Sequence, residues 1–227
     1  MITLSRADAL LVSVTDTQPW LSWLERVYLT QPSLPSIRTV DAARRAMGDS
    51  RWATICRIAN LYQIWTRESV RCLVTSLRHA NARIVLEVGA GDGRLVRALS
   101  HLGDSPYTVV GQDDGSWAGT HHVGSAVTSL RIESIDQSLM TVQPDTVIVS
   151  WMPYQTDWTP LFRACPSVRQ YLVIGEDEGG CTGIESVFHP PDPWCIRRVP
   201  SFQPVAASRT DVALGSMTHL WRVWRPV

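Results

Sequence analysis

Lysine is missing from this 227-residue chain, and all 21 of its basic residues are arginine. Its absence excludes the phosphate-binding lysine of P-loop nucleotide-hydrolysing proteins and any Schiff-base chemistry on a lysine amine. Long apolar runs are missing as well. Nothing approaches the roughly eighteen residues of a membrane span, so no membrane association is predicted. The N-terminus, Met-Ile-Thr-Leu-Ser-Arg, has no basic region followed by an apolar segment, so no secretory signal is expected. Cysteine is sparse and unpatterned. Cys56, Cys72, Cys165, Cys181 and Cys195 are odd in number and never spaced C-x-x-C, which predicts free thiols in a reducing intracellular compartment, cytoplasmic or mitochondrial. Charge of one sign is not in excess either: 21 acidic residues balance the arginines, which argues against strong non-specific nucleic-acid binding. His121-His122 is the only histidine pair, and neighbouring helical residues point apart, so no zinc site and no other metal is predicted.

Glycine is concentrated where the chain is most informative: Ile84-Val-Leu-Glu-Val-Gly-Ala-Gly-Asp-Gly-Arg-Leu-Val-Arg-Ala-Leu99. Apolar residues enclosing Glu87, then Gly89, Gly91 and Gly93, then an amphipathic run, spell strand, tight turn and helix. The glycines allow positive φ and close approach of a ligand to the backbone. The helix directs its first N–H groups over the turn. The spacing G-x-G-x-G differs from the dinucleotide fingerprint G-x-G-x-x-G, because position 94 is Arg.

Around this unit the chain alternates. Residues 1 to about 50 predict short helices broken by Pro19, Pro32 and Pro35. From Arg51 to His79 there is no Pro or Gly, and Trp52, Ile55, Ile58, Tyr62, Trp65, Val70, Leu73 and Leu77 recur near helical spacing, which predicts one long helix with its arginines in solvent. Strands are predicted at Ile84–Val88, Tyr107–Gln112, Leu130–Ile132, Thr146–Ser150 and Tyr171–Gly175, with helices over Arg94–Leu102 and around Leu161–Cys165, and a helix or loop from Ser116. Such βαβ repetition predicts an α/β fold with a mainly parallel, doubly wound sheet, whose ligands lie beyond the strand carboxyl ends at the switch point. Cys195–Val199 and His219–Trp224 are further strand candidates.

Glu87-x-Gly89-x-Gly91-x-Gly93 resembles motif I of the class I S-adenosylmethionine (AdoMet) methyltransferases, of form (D/E)-x-G-x-G-x-G. The resemblance implies a Rossmann-like class I methyltransferase fold at residues 81–227, closed by an antiparallel C-terminal strand pair and preceded by an N-terminal helical region at 1–80. That region would cover the site or carry protein partners. It also implies AdoMet as cofactor, with Glu87 on the methionine ammonium and Gly89, Ala90, Gly91 and Gly93 against the methionine part and ribose. Without lysine, the K-D-K-E chemistry of ribose 2′-O-methyltransferases is excluded. Asp113, at the tip of the second strand, can accept both ribose hydroxyls, and Asp114 is its neighbour; a nucleotide dehydrogenase would use an acid here for the same reason. Asp136 follows the third strand, where the family often places an acid on the adenine amine; an N-cap or turn residue is the alternative.

The fourth strand ends Ser150-Trp-Met-Pro-Tyr-Gln-Thr-Asp-Trp158, similar in part to the (D/N/S)-P-P-(Y/F) of amino-methyltransferases, with one residue added and one Pro lost. Ser150, Pro153 and Tyr154 are the candidates for meeting the acceptor, Ser150 also touching the cofactor; a structural loop that lids the cofactor with Trp151 and Met152 is the alternative. Gly175-Glu-Asp-Glu-Gly-Gly-Cys-Thr-Gly183 reads as a solvated acidic loop. Segments at Gly48–Trp65, Gln112–Trp117, Ser150–Pro153 and Val173–Glu176 also resemble methyltransferase-like proteins of algae, plants and protists. The function implied is methyl transfer to a nitrogen or oxygen of an unidentified small molecule, protein or RNA. The alternative is a methyltransferase-like structural subunit without turnover in a large assembly, to which ten Trp would give interface.

Overall fold

The structure, a computed structural model, describes residues 14–29, 33–59, 61–101, 106–116, 129–176, 180–209 and 217–226. Seven strands form one sheet: β1 (Ile84–Val88), β2 (Thr108–Asp113), β3 (Leu130–Ile132), β4 (Thr146–Ser150), β5 (Gln170–Gly175), β6 (Cys195–Arg198) and β7 (His219–Trp224). Their order is β3-β2-β1-β4-β5-β7-β6. The first five run parallel, and β7 enters antiparallel between β5 and β6. The predicted doubly wound sheet and its antiparallel C-terminal pair are both present. From β1 the chain winds outward through β2 and β3, then returns to place β4 on the other side of β1. The switch point therefore lies between β1 and β4, where ligands of such sheets sit. Val88 pairs with Val149, so Gly89 and Ser150 leave the sheet side by side.

Helices cover both faces, as parallel strands with few polar side chains require. On one face α6 (Ile135–Val142) and α7 (Thr159–Ala164) bury Leu139 and Phe162 against Leu86, Val88, Val147, Val149, Tyr171 and Val173. On the other, α4 (Arg67–His79) and α5 (Arg94–His101) bury Leu73, Leu77, Leu95 and Leu99 in one core with Val85, Ile148, Leu172 and Leu220. That core also takes in Leu24, Tyr28, Val40, Trp52 and Ile55 from α1 (Val14–Leu24), the π-helical turn Glu25–Leu29, α2 (Ile37–Met47) and α3 (Asp49–Ile58). The helices before β1 thus share a hydrophobic core with the sheet. Gly111 is what lets α5 lie this close to β2: a Cβ there would stand 2.8 Å from Val96 Cγ2 and 3.0 Å from Leu130 Cδ1. Gly111→Val is expected to cost about 1–3 kcal/mol, the range for overpacking a filled core, read as a lower denaturation midpoint.

Two predictions are corrected. The single helix over 51–79 is replaced by one helix ending at Ile58 and another starting at Arg67, because residues 61–66 have better hydrogen bonds elsewhere. Ile64 N–H donates to Ala207 O (2.9 Å), Arg209 N–H to Tyr62 O (2.9 Å), and Gln63 bridges Ser208. Thr66 then caps α4, its hydroxyl accepting from Ser69 N–H (3.1 Å) while Ser69 Oγ accepts from Thr66 N–H (3.0 Å). Ile58, counted with the buried stripe, is consequently exposed. Pro19 does not break the first helix but lies inside α1, leaving the Thr15 carbonyl without its usual i+4 donor. Pro32, His121-His122 and most of the segment following Ser116 lie outside the described residues.

Candidate active site

The glycine loop runs from β1 into α5 with φ of +67° at Gly89, +56° at Gly91 and +70° at Gly93, a region that side chains with a Cβ avoid. A Cβ on Gly91 would meet nothing within 4 Å, whereas one on Gly89 would stand 3.3 Å from the Trp158 ring. Gly91 therefore borders open space, and Gly89 is the floor beneath Trp158. Hydrogen bonds from β2 hold the loop in place. Ala90 N–H donates to Gln112 O (2.8 Å) and Gly89 N–H to Gln112 Oε1 (3.4 Å), while the Gln112 amide donates to Glu133 O. Gly91 N–H donates to Asp113 Oδ2 (2.8 Å), whose other oxygen accepts from Gly115 N–H (2.8 Å). Asp113 is thus fixed at the loop, and Asp114 is not: it is exposed, and its pKa is lowered by hydrogen bonds from the Ser116 hydroxyl and from Ser116 N–H (2.8 Å).

Glu87 is 3% exposed, and its Oε2 has no hydrogen-bond partner. Burial pushes its carboxyl well above the usual carboxylate range, and the charges of Asp92 and Asp113 push the same way, against one backbone N–H from Val96. At the other end of the loop, Arg94 is 6% exposed. Its guanidinium bonds the Asp92 carboxylate and lies 4.3 Å from the centre of the Tyr28 ring, and Nη1 is left without a partner. Tyr28 is itself locked: its hydroxyl accepts from Trp65 N–H (2.9 Å) and donates to Gln63 O (3.4 Å), and burial raises its pKa.

At the end of β4, Ser150 Oγ is buried without a partner, and Trp151 follows with φ +57°. The indole N–H of Trp151 donates to Gln63 Oε1 (3.1 Å), its ring lies 5.8 Å from that of Tyr62, and Arg209 stands 3.8 Å over Tyr62. The break in the helical stretch thus exists to bring Tyr62 and Gln63 onto the β4 loop. Met152 is buried, and its sulfur accepts from Trp158 N–H (3.4 Å).

The predicted acceptor residues are divided between two places. Ser150 faces inward, whereas Tyr154 is 55% exposed and lines a cavity of about 670 Å³ with Ile184, Phe188, Trp221 and Glu176. Pro153 is half-buried between them and accepts from Thr156 N–H (3.1 Å). Asp136 is exposed in the first turn of α6, which Ser134 caps; the acid drawn toward β2 is Glu133, whose N–H donates to Asp113 O (3.0 Å). Glu176 accepts from Cys181 N–H (3.1 Å), and burial with this carboxylate nearby pushes the Cys181 thiol up to about 12, so it is no nucleophile. Asp177 and Glu178 lie outside the described residues. Among the described residues no His, Cys, Asp and Glu group could hold a metal ion, and no helix is long and apolar enough to cross a membrane.

Sequence reasoning missed Tyr28, Gln63, Arg94 and Trp158 as site residues. Arg94 carried a signal, an arginine at the first helical position straight after the loop; the other three reach the site only through tertiary contacts.

No protein-family model and no curated protein sequence matches the chain. Solved structures do. A Staphylococcus aureus protein provisionally named a caffeoyl-CoA O-methyltransferase is similar over 84% of this chain and 99% of its own, at 11% identity and a TM-score of 0.50. A SAM-dependent O-methyltransferase from Thermotoga maritima is similar over 78% and 71%, at 10% identity and 0.49. Human N-acetylserotonin methyltransferase, solved with SAM, is similar over 93% and 67%, at 11% identity and 0.48. The sheet order and the first of these likenesses give the chain its fold class: it has the Rossmann-like fold of the class I methyltransferases.

Proposed function

We propose that this protein is an AdoMet-dependent methyltransferase acting on a nitrogen or oxygen of a small molecule, protein or RNA. The observation that carries the reading is Glu87: a buried carboxylate with an unmet oxygen, beside a glycine loop that borders open space. The residues fit the cofactor. Glu87 would take the methionine ammonium, Gly89, Ala90, Gly91 and Gly93 would lie along the methionine part and ribose, and Asp113 would take the ribose hydroxyls while keeping its bond to Gly91. Asp136 and Ser150 would complete the adenine and methyl ends. Bound AdoMet supplies a methyl on a sulfonium, a good leaving group, so the chain's own task is to orient the acceptor and exclude water. Trp151, Met152 and Trp158 supply apolar cover for this.

Of the N-terminal region, residues 1–80, the described helices would cover the site or offer a surface to protein partners, ahead of the methyltransferase-like part, residues 81–227. A second reading, a methyltransferase-like subunit without turnover, is favoured by the split between Ser150 and Tyr154. Radiolabelled AdoMet added to a lysate fractionated into protein, RNA and metabolites separates the two readings. Label in one fraction, reduced by Tyr154→Ala with AdoMet affinity intact, supports the enzyme. No label, with stoichiometric partners in a pull-down, supports the subunit. Five cysteines without a disulfide support a reducing compartment for either reading, cytoplasmic or mitochondrial.

Asp113→Ala is expected to weaken AdoMet by about 1.5–3 kcal/mol, the range for hydrogen bonds to a charged group, and Asp114→Ala by far less. Isothermal titration checks the ranking. The reverse order would move the ribose contact to the exposed acid.

A further inference from the structure

We propose that Arg94 binds the carboxylate of the amino-acid end of AdoMet, opposite the ammonium taken by Glu87, with Tyr28 positioning the guanidinium; this rests on the cofactor reading above. A carboxyl and a guanidinium are buried at the two ends of the glycine loop, and each has an unmet atom: Glu87 Oε2 and Arg94 Nη1. No ion pair joins them. Asp92 stands between their interests, bonded to Arg94 and repelling Glu87, so it satisfies only part of the fork and adds to the strain on the acid. An unpaired buried donor or acceptor is uncommon because each costs desolvation without return. One unmet carboxyl oxygen and one unmet guanidinium nitrogen, on the two flanks of a loop that borders open space, match the two polar groups of an α-amino-acid end.

The arginine is prepared for this. Asp92 occupies Nη2, the Tyr28 ring covers one face of the guanidinium at 4.3 Å, and the Tyr28 hydroxyl is tied to Trp65 and Gln63. The planar fork then has a donor left over in a fixed direction, which a lysine would not supply. A purely structural Arg94, fastening the N-terminal region to the loop, gives no reason for the protein to sense a carboxylate on its ligand.

That difference is the test. Titration calorimetry compares AdoMet, decarboxylated AdoMet, which differs only by the carboxylate, and 5′-methylthioadenosine, which lacks the amino-acid end. Wild-type protein is expected to prefer AdoMet over its decarboxylated form by about tenfold or more, the range of a charge-assisted hydrogen bond. Arg94→Gln should close that gap and leave 5′-methylthioadenosine affinity within about twofold, since the nucleoside contacts are untouched. Should thermal melts show Arg94→Gln unfolded, Arg94→Lys decides: a narrowed gap supports the proposal, and a wild-type gap overturns it. A preference that persists in Arg94→Gln, or is absent from the wild type, also overturns it while leaving AdoMet binding standing. Wild-type protein that binds none of the three ligands overturns the cofactor reading and this proposal together.

Discussion

Gly91→Val is expected to abolish AdoMet binding, a loss of at least about 100-fold or about 2.7 kcal/mol, while the protein remains folded. Two effects act at this position and can be separated. The backbone sits at φ +56°, where any residue with a Cβ is strained by about 1–2 kcal/mol and a β-branched one fares worst. Beyond the backbone there is open space, with nothing within 4 Å of where a Cβ would be. Gly91→Ala therefore carries the strain with little obstruction, and Gly91→Val carries both. If melting temperatures fall similarly in the two variants and only the Val variant loses AdoMet in calorimetry, the side chain is excluding the ligand. Equal affinity in wild type and Gly91→Val would show that the methionine part does not pass over Gly91.

Much of this fold was legible because its signals are local. Val85, Leu86 and Val88 form a buried strand whatever follows, and the three glycines have no other economical conformation after it than a turn with positive φ. Asp113 could be singled out because a strand end fixes where its side chain emerges, and the structure holds it on Gly91 N–H. Tyr62–Trp65 shows why the remainder was hidden. Read alone, those residues continue a helical stripe. In the folded chain the segment pairs with residues 207–209, far away in sequence, and so delivers Gln63 to Trp151. Helical periodicity cannot register a partner about 140 residues downstream, because tertiary hydrogen bonds override local propensity. Tyr28 was hidden for the same reason: its role depends on Arg94, and only packing brings the two together.

Glu87→Gln should move ligand affinity and ligand-free stability in opposite directions. In the ligand-free protein the carboxyl is buried with an unmet oxygen and two acids nearby, so the fold holds its proton more tightly than the unfolded chain does. A group whose pKa is raised by folding contributes stability below its unfolded pKa, and that contribution is lost as pH rises through the folded value. Glutamine has nearly the same shape and no proton to lose. The variant is therefore expected to match the wild type near the bottom of the carboxylate range and to be the more stable of the two at neutral pH, the difference growing as pH rises above the ordinary carboxylate range. An ammonium placed on Glu87 reverses the balance, because the carboxylate is then paired and its charged form is favoured. AdoMet should accordingly bind the variant about 1.5–3 kcal/mol more weakly, the range for a hydrogen bond between charged groups. Wild-type binding should release a proton from Glu87, seen as a calorimetric enthalpy that changes with the ionisation enthalpy of the buffer and stops changing in Glu87→Gln. A variant no more stable than wild type at neutral pH would mean that Glu87 finds a counter-charge without ligand. One that binds AdoMet undiminished would remove the ammonium from this carboxylate.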